Sequence, residues 1–155
     1  MPSVVIDFGT EQHMEELVNS ALWMMEETEG LHLDRQTAIS GAKAVLANKS
    51  HGFYVVATAN NQFAGSLFVN SFWLDLVNGY VWWINCVHVR EEFRRQGIYE
   101  QMYNFVKEQV TKREDVVALR LIVNPANAKA KDAYEKAGMS QLHYLLYQEK
   151  VRTFE

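Results

Sequence analysis

The chain has 155 residues, with 19 acidic side chains against 15 Lys and Arg and a formal net charge of −4, enough for one domain around one sizeable core, so 1–155 is read as a single domain. This acidic balance argues against a nucleic-acid partner, which calls for a basic excess or stripe. A single cysteine, Cys86, excludes an internal disulfide and suits a reducing compartment; with no apolar run near ~20 residues and no basic-then-apolar leader, a cytoplasmic protein with no membrane partner is expected.

In chain order, Val4 to Phe8 reads as a short strand. Thr10 can cap a helix whose apolar residues Met14, Leu17, Val18, Ala21, Leu22 and Met25 keep helical spacing. Asp34 can cap a second, carrying Ala38, Ile39, Ala42, Val45 and Leu46. Gly52 to Ala59 is a strand, Asn60-Asn61 a turn, and Phe63 to Trp73 another strand. Asn78-Gly79 is a hairpin turn into the central strand, Gly79 to Val89. A helix follows from Tyr99, with Met102, Phe105 and Val106 on one face. Leu119 to Val123 is a strand, and a helix through Ala130, Ala133, Tyr134 and Ala137 ends at Gly138, as a C′ glycine should. Gln141 to Lys150 alternates enough to be a final strand, an apolar one that can pair across the edge of a homodimer. Strands and helices in this order give an α/β class, a mixed and mostly antiparallel sheet with helices on both faces.

The junction after the central strand carries the most functional information. It runs through a short acidic turn into Arg94-Arg95-Gln96-Gly97-Ile98-Tyr99 and the helix. The first N–H groups of a helix lack intrahelical partners and its dipole favours negative charge there. Gly97 lets the backbone approach a pyrophosphate, and Arg94 and Arg95 add positive charge. The alternative for this junction alone is a helix cap with solvated arginines.

A second segment bears on that choice. The two stretches together resemble the GCN5-related N-acetyltransferase superfamily. Its cofactor loop, Arg/Gln-x-x-Gly-x-Gly/Ala, falls on Arg94, Gly97 and Tyr99. Its later signature, Asn-x-x-Ala-x-x-x-Tyr-x-x-x-Gly-Phe/Met, falls on Asn127, Ala130, Tyr134, Gly138 and Met139. The resemblance covers roughly residues 52–148 well and the N-terminal third loosely. Tyr99 departs from the usual Gly or Ala and crowds the pyrophosphate approach unless its ring packs beside the cofactor.

The resemblance implies acetyl-CoA as donor and an amine, of a small molecule or a protein, as acceptor. It implies that the backbone of Val87, His88 and Val89 pairs with the pantetheine arm and that the phosphates rest on Arg94 to Tyr99. Asn127 would bond the pantetheine arm, the alternative being an Asx-turn or helix cap. Tyr134 would give a proton to the departing thiolate, the alternative being a packing role. Histone-type members carry their basic glutamate where this chain has Trp83, so that role does not transfer. Asn85, on the same strand face, can hold a water. Glu27 and Glu29, in an acidic run where a helix C-terminus disfavours acids, are the acceptor-binding or base candidates, the alternative being a solvated turn; Asp75 is a weaker one. His13, His32, His51, His88 and His143 show no ligand spacing, so no metal is expected. Cys86 is expected to point into the core on the Trp82 face. A non-catalytic acyl-CoA-binding regulator is the competing function.

Overall fold

The computed structural model describes residues 3–153. Five strands form one sheet in the order in which they leave the chain: β1 (Val4–Phe8), β2 (Phe53–Ala59), β3 (Gln62–Leu74), β4 (Gly79–Val89) and β5 (Val116–Leu121). Neighbours are antiparallel except β4 and β5, which run parallel. A parallel pair needs a crossover, and α3 (Ile98–Thr111) supplies it.

The helices divide between the two faces. The first, α1 (Met14–Glu29), lies on β3 and β4, with α2 (Arg35–Ala47) packed against it. On the opposite face α3 crosses β1 to β4, and α4 (Ala128–Lys136) follows β5. The strand alternation dictates this layering. Val55, Ala57, Val69, Trp82 and Ile84 point to the α3 face and meet Ile98, Met102 and Val106 in the main core. Val56 and Phe63 point the other way and meet Leu17 of α1. Asp34 caps α2 as the sequence suggests, accepting from the Thr37 N–H at 2.8 Å and the Thr37 hydroxyl at 2.7 Å. Such a cap contributes about 1 kcal/mol.

Several sequence expectations are corrected. Residues 141–150 form no strand and are exposed throughout; alternation alone does not make a strand without an edge to pair with and a layer to cover it. The β3–β4 connection is not a two-residue turn. A 3-10 turn over Asp75–Val77 leads to Asn78 in the left-handed region (φ 50°). β5 begins at Val116 rather than Leu119 and ends at Leu121, the last partner that β4 offers it. Thr10 precedes a 3-10 turn, Glu11–His13, so the helix proper starts at Met14.

Candidate active site

The site begins with an irregularity in β4. Opposite β3, Asn85 pairs with Phe68 and His88 with Ser66, so Cys86 and Val87 together face the single residue Leu67. Such a bulge kinks and twists a strand. Here it holds Cys86 at φ 52°, uncommon for a residue with a side chain. On the other side, the pairing of β4 with β5 stops at Ile84 and Leu121. Asn85 to Val89 therefore keep β3 on one flank and open a gap on the other. Backbone polar groups along such a gap can take up an extended, amide-bearing ligand as a strand would.

The bulge also reverses the expected direction of Cys86. Instead of entering the Trp82 face it lines a small cavity of about 60 Å³ under α1 with Leu17, Ala21 and Tyr54. Burial pushes its thiol pKa up, so it stays protonated and unreactive near neutral pH.

At the end of β4 the chain turns sharply. Arg95 (φ 63°) and Gly97 (φ 74°) both adopt left-handed angles, with Gly97 at the N-cap of α3. A Cβ at Gly97 would meet nothing within 4 Å, so the backbone angle, not crowding, is what favours glycine there. Among the described residues the N–H groups of Gly97, Ile98 and Tyr99 bond to no protein acceptor. Arg95 and Gln96 are exposed on the rim of this turn, Gln96 donating to the Glu92 carbonyl at 3.2 Å. Ile98 is buried beneath it and anchors the helix.

Arg94 bends back towards the gap. Its Nε donates to the Val89 carbonyl at 2.8 Å, and its Nη2 reaches both oxygens of Glu27 at 3.1 and 2.9 Å. Both side chains are about half exposed, so the pair contributes only about 0.2–1 kcal/mol. Glu29, one helical half-turn further, accepts from the Asn124 amide at 3.4 Å. The acidic end of α1 thus spans the mouth of the gap, touching the turn after β4 with one carboxylate and the loop after β5 with the other.

Beneath Glu27 lies His88, 5% exposed, with neither ring nitrogen hydrogen-bonded among the described residues. Its Nε2 is 3.8 Å from the Glu27 carboxylate, longer than a hydrogen bond. Burial, helped by Arg94 and Arg90 and opposed by Glu27, lowers its pKa, so the imidazole is neutral at pH 7. Trp23 stands 6.1 Å from the His88 ring and is itself partly exposed.

Tyr134 projects from α4, and burial pushes its phenol pKa up. The Tyr99 ring meets it edge-on at 5.3 Å and stacks on Tyr103 at 6.1 Å. Tyr99 is therefore turned inward, its buried hydroxyl without a partner among the described residues, and does not project across the mouth of the turn. Asn127 caps α4 through its side-chain oxygen, which accepts from the Ala130 N–H at 3.1 Å; its amide nitrogen donates to no acceptor among the described residues.

Asp75 sits at the far tip of the β3–β4 hairpin, about 30 Å from Val89 at the rise of an extended strand, and so lies outside the site. Asn85 donates to the Asn70 side chain at 2.8 Å and to the Trp83 carbonyl at 3.2 Å, which occupies its NH2 group and leaves its oxygen as the atom that could hold a water. The side chains of Asn124 and Trp23 and the imidazole of His88 carried no functional assignment in the sequence. Only His88 left a signal, an ionisable ring in a strand rich in Val, Trp and Ile.

The family model for the acetyltransferase (GNAT) family matches residues 14–139. No curated protein sequence matches. Among solved structures, a possible acetyltransferase from Clostridium difficile 630 is 30% identical over 97% of this chain and 99% of its own, with a TM-score of 0.87. A predicted acetyltransferase with acetyl-CoA from Clostridium acetobutylicum superposes with a TM-score of 0.79 at 16% identity, covering 95% of this chain and 96% of that one. The aminoglycoside N-acetyltransferase AAC(6')-Iy in complex with CoA does so at 0.78 and 14% identity, covering 98% and 97%. These last two show likeness of fold.

Proposed function

We propose that this chain, which belongs to the acetyltransferase (GNAT) family, transfers the acetyl group of acetyl-CoA to a primary amine by direct attack in a ternary complex. The observation that carries this reading is the gap beside β4 beyond its last pairing with β5, where β4 also bulges against β3, with the Arg94–Tyr99 turn at one end and Tyr134 packed on Tyr99 of that turn. The pantetheine arm would pair with Val87, His88 and Val89, helped by the amide of Asn127. The pyrophosphate would rest on the N–H groups of Gly97, Ile98 and Tyr99, with Arg94 and Arg95 as counter-charges. The neighbours solved with acetyl-CoA and with CoA support this choice of donor.

The acceptor side follows from charge. Glu27 and Glu29, with the partly exposed ring of Trp23, make an acidic, aromatic-walled mouth that suits a cationic amine. Glu27 is the base: it accepts a proton from the ammonium, directly or through a water, and the freed amine attacks the acetyl carbonyl. A backbone N–H of the open strand holds the resulting oxyanion. As the tetrahedral intermediate collapses, the carbon–sulfur bond breaks, Tyr134 gives the departing thiolate its proton, and the second proton lost by the attacking nitrogen passes through water to restore the Tyr134 phenol. A phenol whose pKa burial has raised holds that proton at neutral pH until the thiolate forms. Glu29, tied to Asn124, shapes the acceptor mouth.

The competing regulator reading keeps the cofactor gap and lacks turnover; the protonated phenol of Tyr134, packed on Tyr99 of the turn, favours the enzyme. Thiol release from acetyl-CoA, followed with a polyamine, an amino acid, an aminoglycoside and a lysine peptide, separates the two. At least one amine class is expected to accelerate release over the amine-free rate. A cofactor that binds with no acceleration by any of the four would favour the regulator.

A further inference from the structure

His88 is a buried, ionisable side chain that the proposed reaction does not use. It is 5% exposed, and neither ring nitrogen has a hydrogen-bond partner among the described residues. A buried polar group left unpaired is unfavourable, and in a folded protein it calls for an explanation. The bulge in β4 supplies the first part of one. Strict alternation from Trp82 and Ile84 would send His88 into the main core with them. With Cys86 and Val87 both opposite Leu67, the alternation shifts by one residue. Val87 and Val89 pack on that core instead, and His88 turns under α1. Bulges beside active sites re-aim side chains in this way.

Under α1 the imidazole meets Trp23, with ring centroids 6.1 Å apart, and Glu27, whose Oε1 is 3.8 Å from Nε2. Trp23 and Glu27 are four residues apart on one helix and so share a face. The Nε2 to Oε1 separation is about 1 Å too long for a hydrogen bond. Both carboxylate oxygens are engaged instead by the Nη2 of Arg94, at 3.1 and 2.9 Å. Burial, with Arg94 and Arg90 close by, keeps the ring neutral, and a neutral imidazole has one N–H to donate.

From this arrangement we infer that His88 is a positioning residue for Glu27: once the pyrophosphate of the donor has drawn Arg94 away, the Nε2–H of His88 donates to the Glu27 carboxylate and holds it for the amine. The inference rests on the acetyltransferase reading and on Glu27 as its base. The contact moves no proton. One carboxylate oxygen accepts from His88, and the other is left to take the proton of the ammonium. The imidazole gains the partner it lacks, and the base keeps a fixed direction after its arginine has left. Because His88 lies beneath Glu27 and is almost closed to solvent, it acts through the carboxylate and not on the amine.

The competing account is that His88 only packs against Trp23. His88→Gln places an amide N–H near the position of Nε2, whereas His88→Phe keeps a flat ring against Trp23 and has no donor. With the amine that most accelerates thiol release, Phe is expected to lower kcat by about 10–10²-fold, the effect of losing a hydrogen bond to a charged group. Acetyl-CoA affinity should stay unchanged. Gln is expected to recover kcat to within about fivefold of the parent, since it restores that bond. A packing role predicts the reverse order, and Phe at parental turnover would overturn the inference. A second readout needs no acceptor. In protein isotope-labelled at its histidine nitrogens, CoA is expected to shift the Nε2 resonance of His88 and slow the exchange of its proton with water. Glu27→Ala should abolish both changes. Calorimetric binding of CoA with the His88 resonance unmoved would overturn the inference and leave the acetyltransferase reading standing. No binding of CoA would overturn both.

Discussion

Replacing Tyr134 by Phe should lower turnover by about 10²–10⁴-fold, the range expected when a general acid is removed, while acetyl-CoA affinity changes little. Phe keeps the ring that meets Tyr99 edge-on at 5.3 Å and removes only the hydroxyl. A packing role would therefore survive the change and a proton-donating role would not. The leaving thiolate then has to be protonated by water, or depart as the anion. Steady-state thiol release gives the turnover and a calorimetric titration gives the affinity. Turnover within a few-fold of the parent would exclude Tyr134 as the acid. A parallel loss of affinity would point to a damaged gap.

Glu27→Gln should separate the two halves of the reaction in a different way. In the free protein Glu27 occupies the guanidinium of Arg94 through both oxygens. The pair is half exposed and contributes at most about 1 kcal/mol, so a doubly charged pyrophosphate should draw Arg94 away. Donor binding would then release Glu27 for the amine, which favours acetyl-CoA binding first. Gln removes the competitor for Arg94 and removes the base. Acetyl-CoA affinity is expected to stay level or rise up to about fivefold, corresponding to that 1 kcal/mol. Turnover with the amine is expected to fall at least about 10²-fold. A drop in acetyl-CoA affinity with amine turnover preserved would reverse the roles assigned to this pair.

Much of this arrangement was legible before the structure. β4 has the limits its Val/Trp alternation and flanking Gly79 suggest, Asp34 caps α2, and the turn into α3 places Gly97 at a left-handed N-cap. These features are local, set by a few adjacent residues and the backbone angles they tolerate. What stayed hidden is non-local or lacks a compositional mark. The β4 bulge uses Cys86 where a bulge is usually signalled by glycine, so strict alternation put that thiol on the wrong face. Arg94 finds Glu27 across 67 residues, and nothing in either segment names the other. The segment 141–150 reads as a strand because its composition suits one, and composition does not say whether an edge is there to pair with it.

The central claim is that the gap beside β4 and the turn after it form a site for acetyl-CoA. Thermal unfolding with and without acetyl-CoA, with NAD and ATP as controls, tests it most directly. A ligand bound only by the folded state adds about 2.7 kcal/mol at a hundredfold excess over its dissociation constant. For a domain of this size that corresponds to a midpoint raised by about 5–10 °C. The account predicts that rise with acetyl-CoA and none with NAD or ATP; an unmoved midpoint, or an equal rise with all three nucleotides, would contradict it.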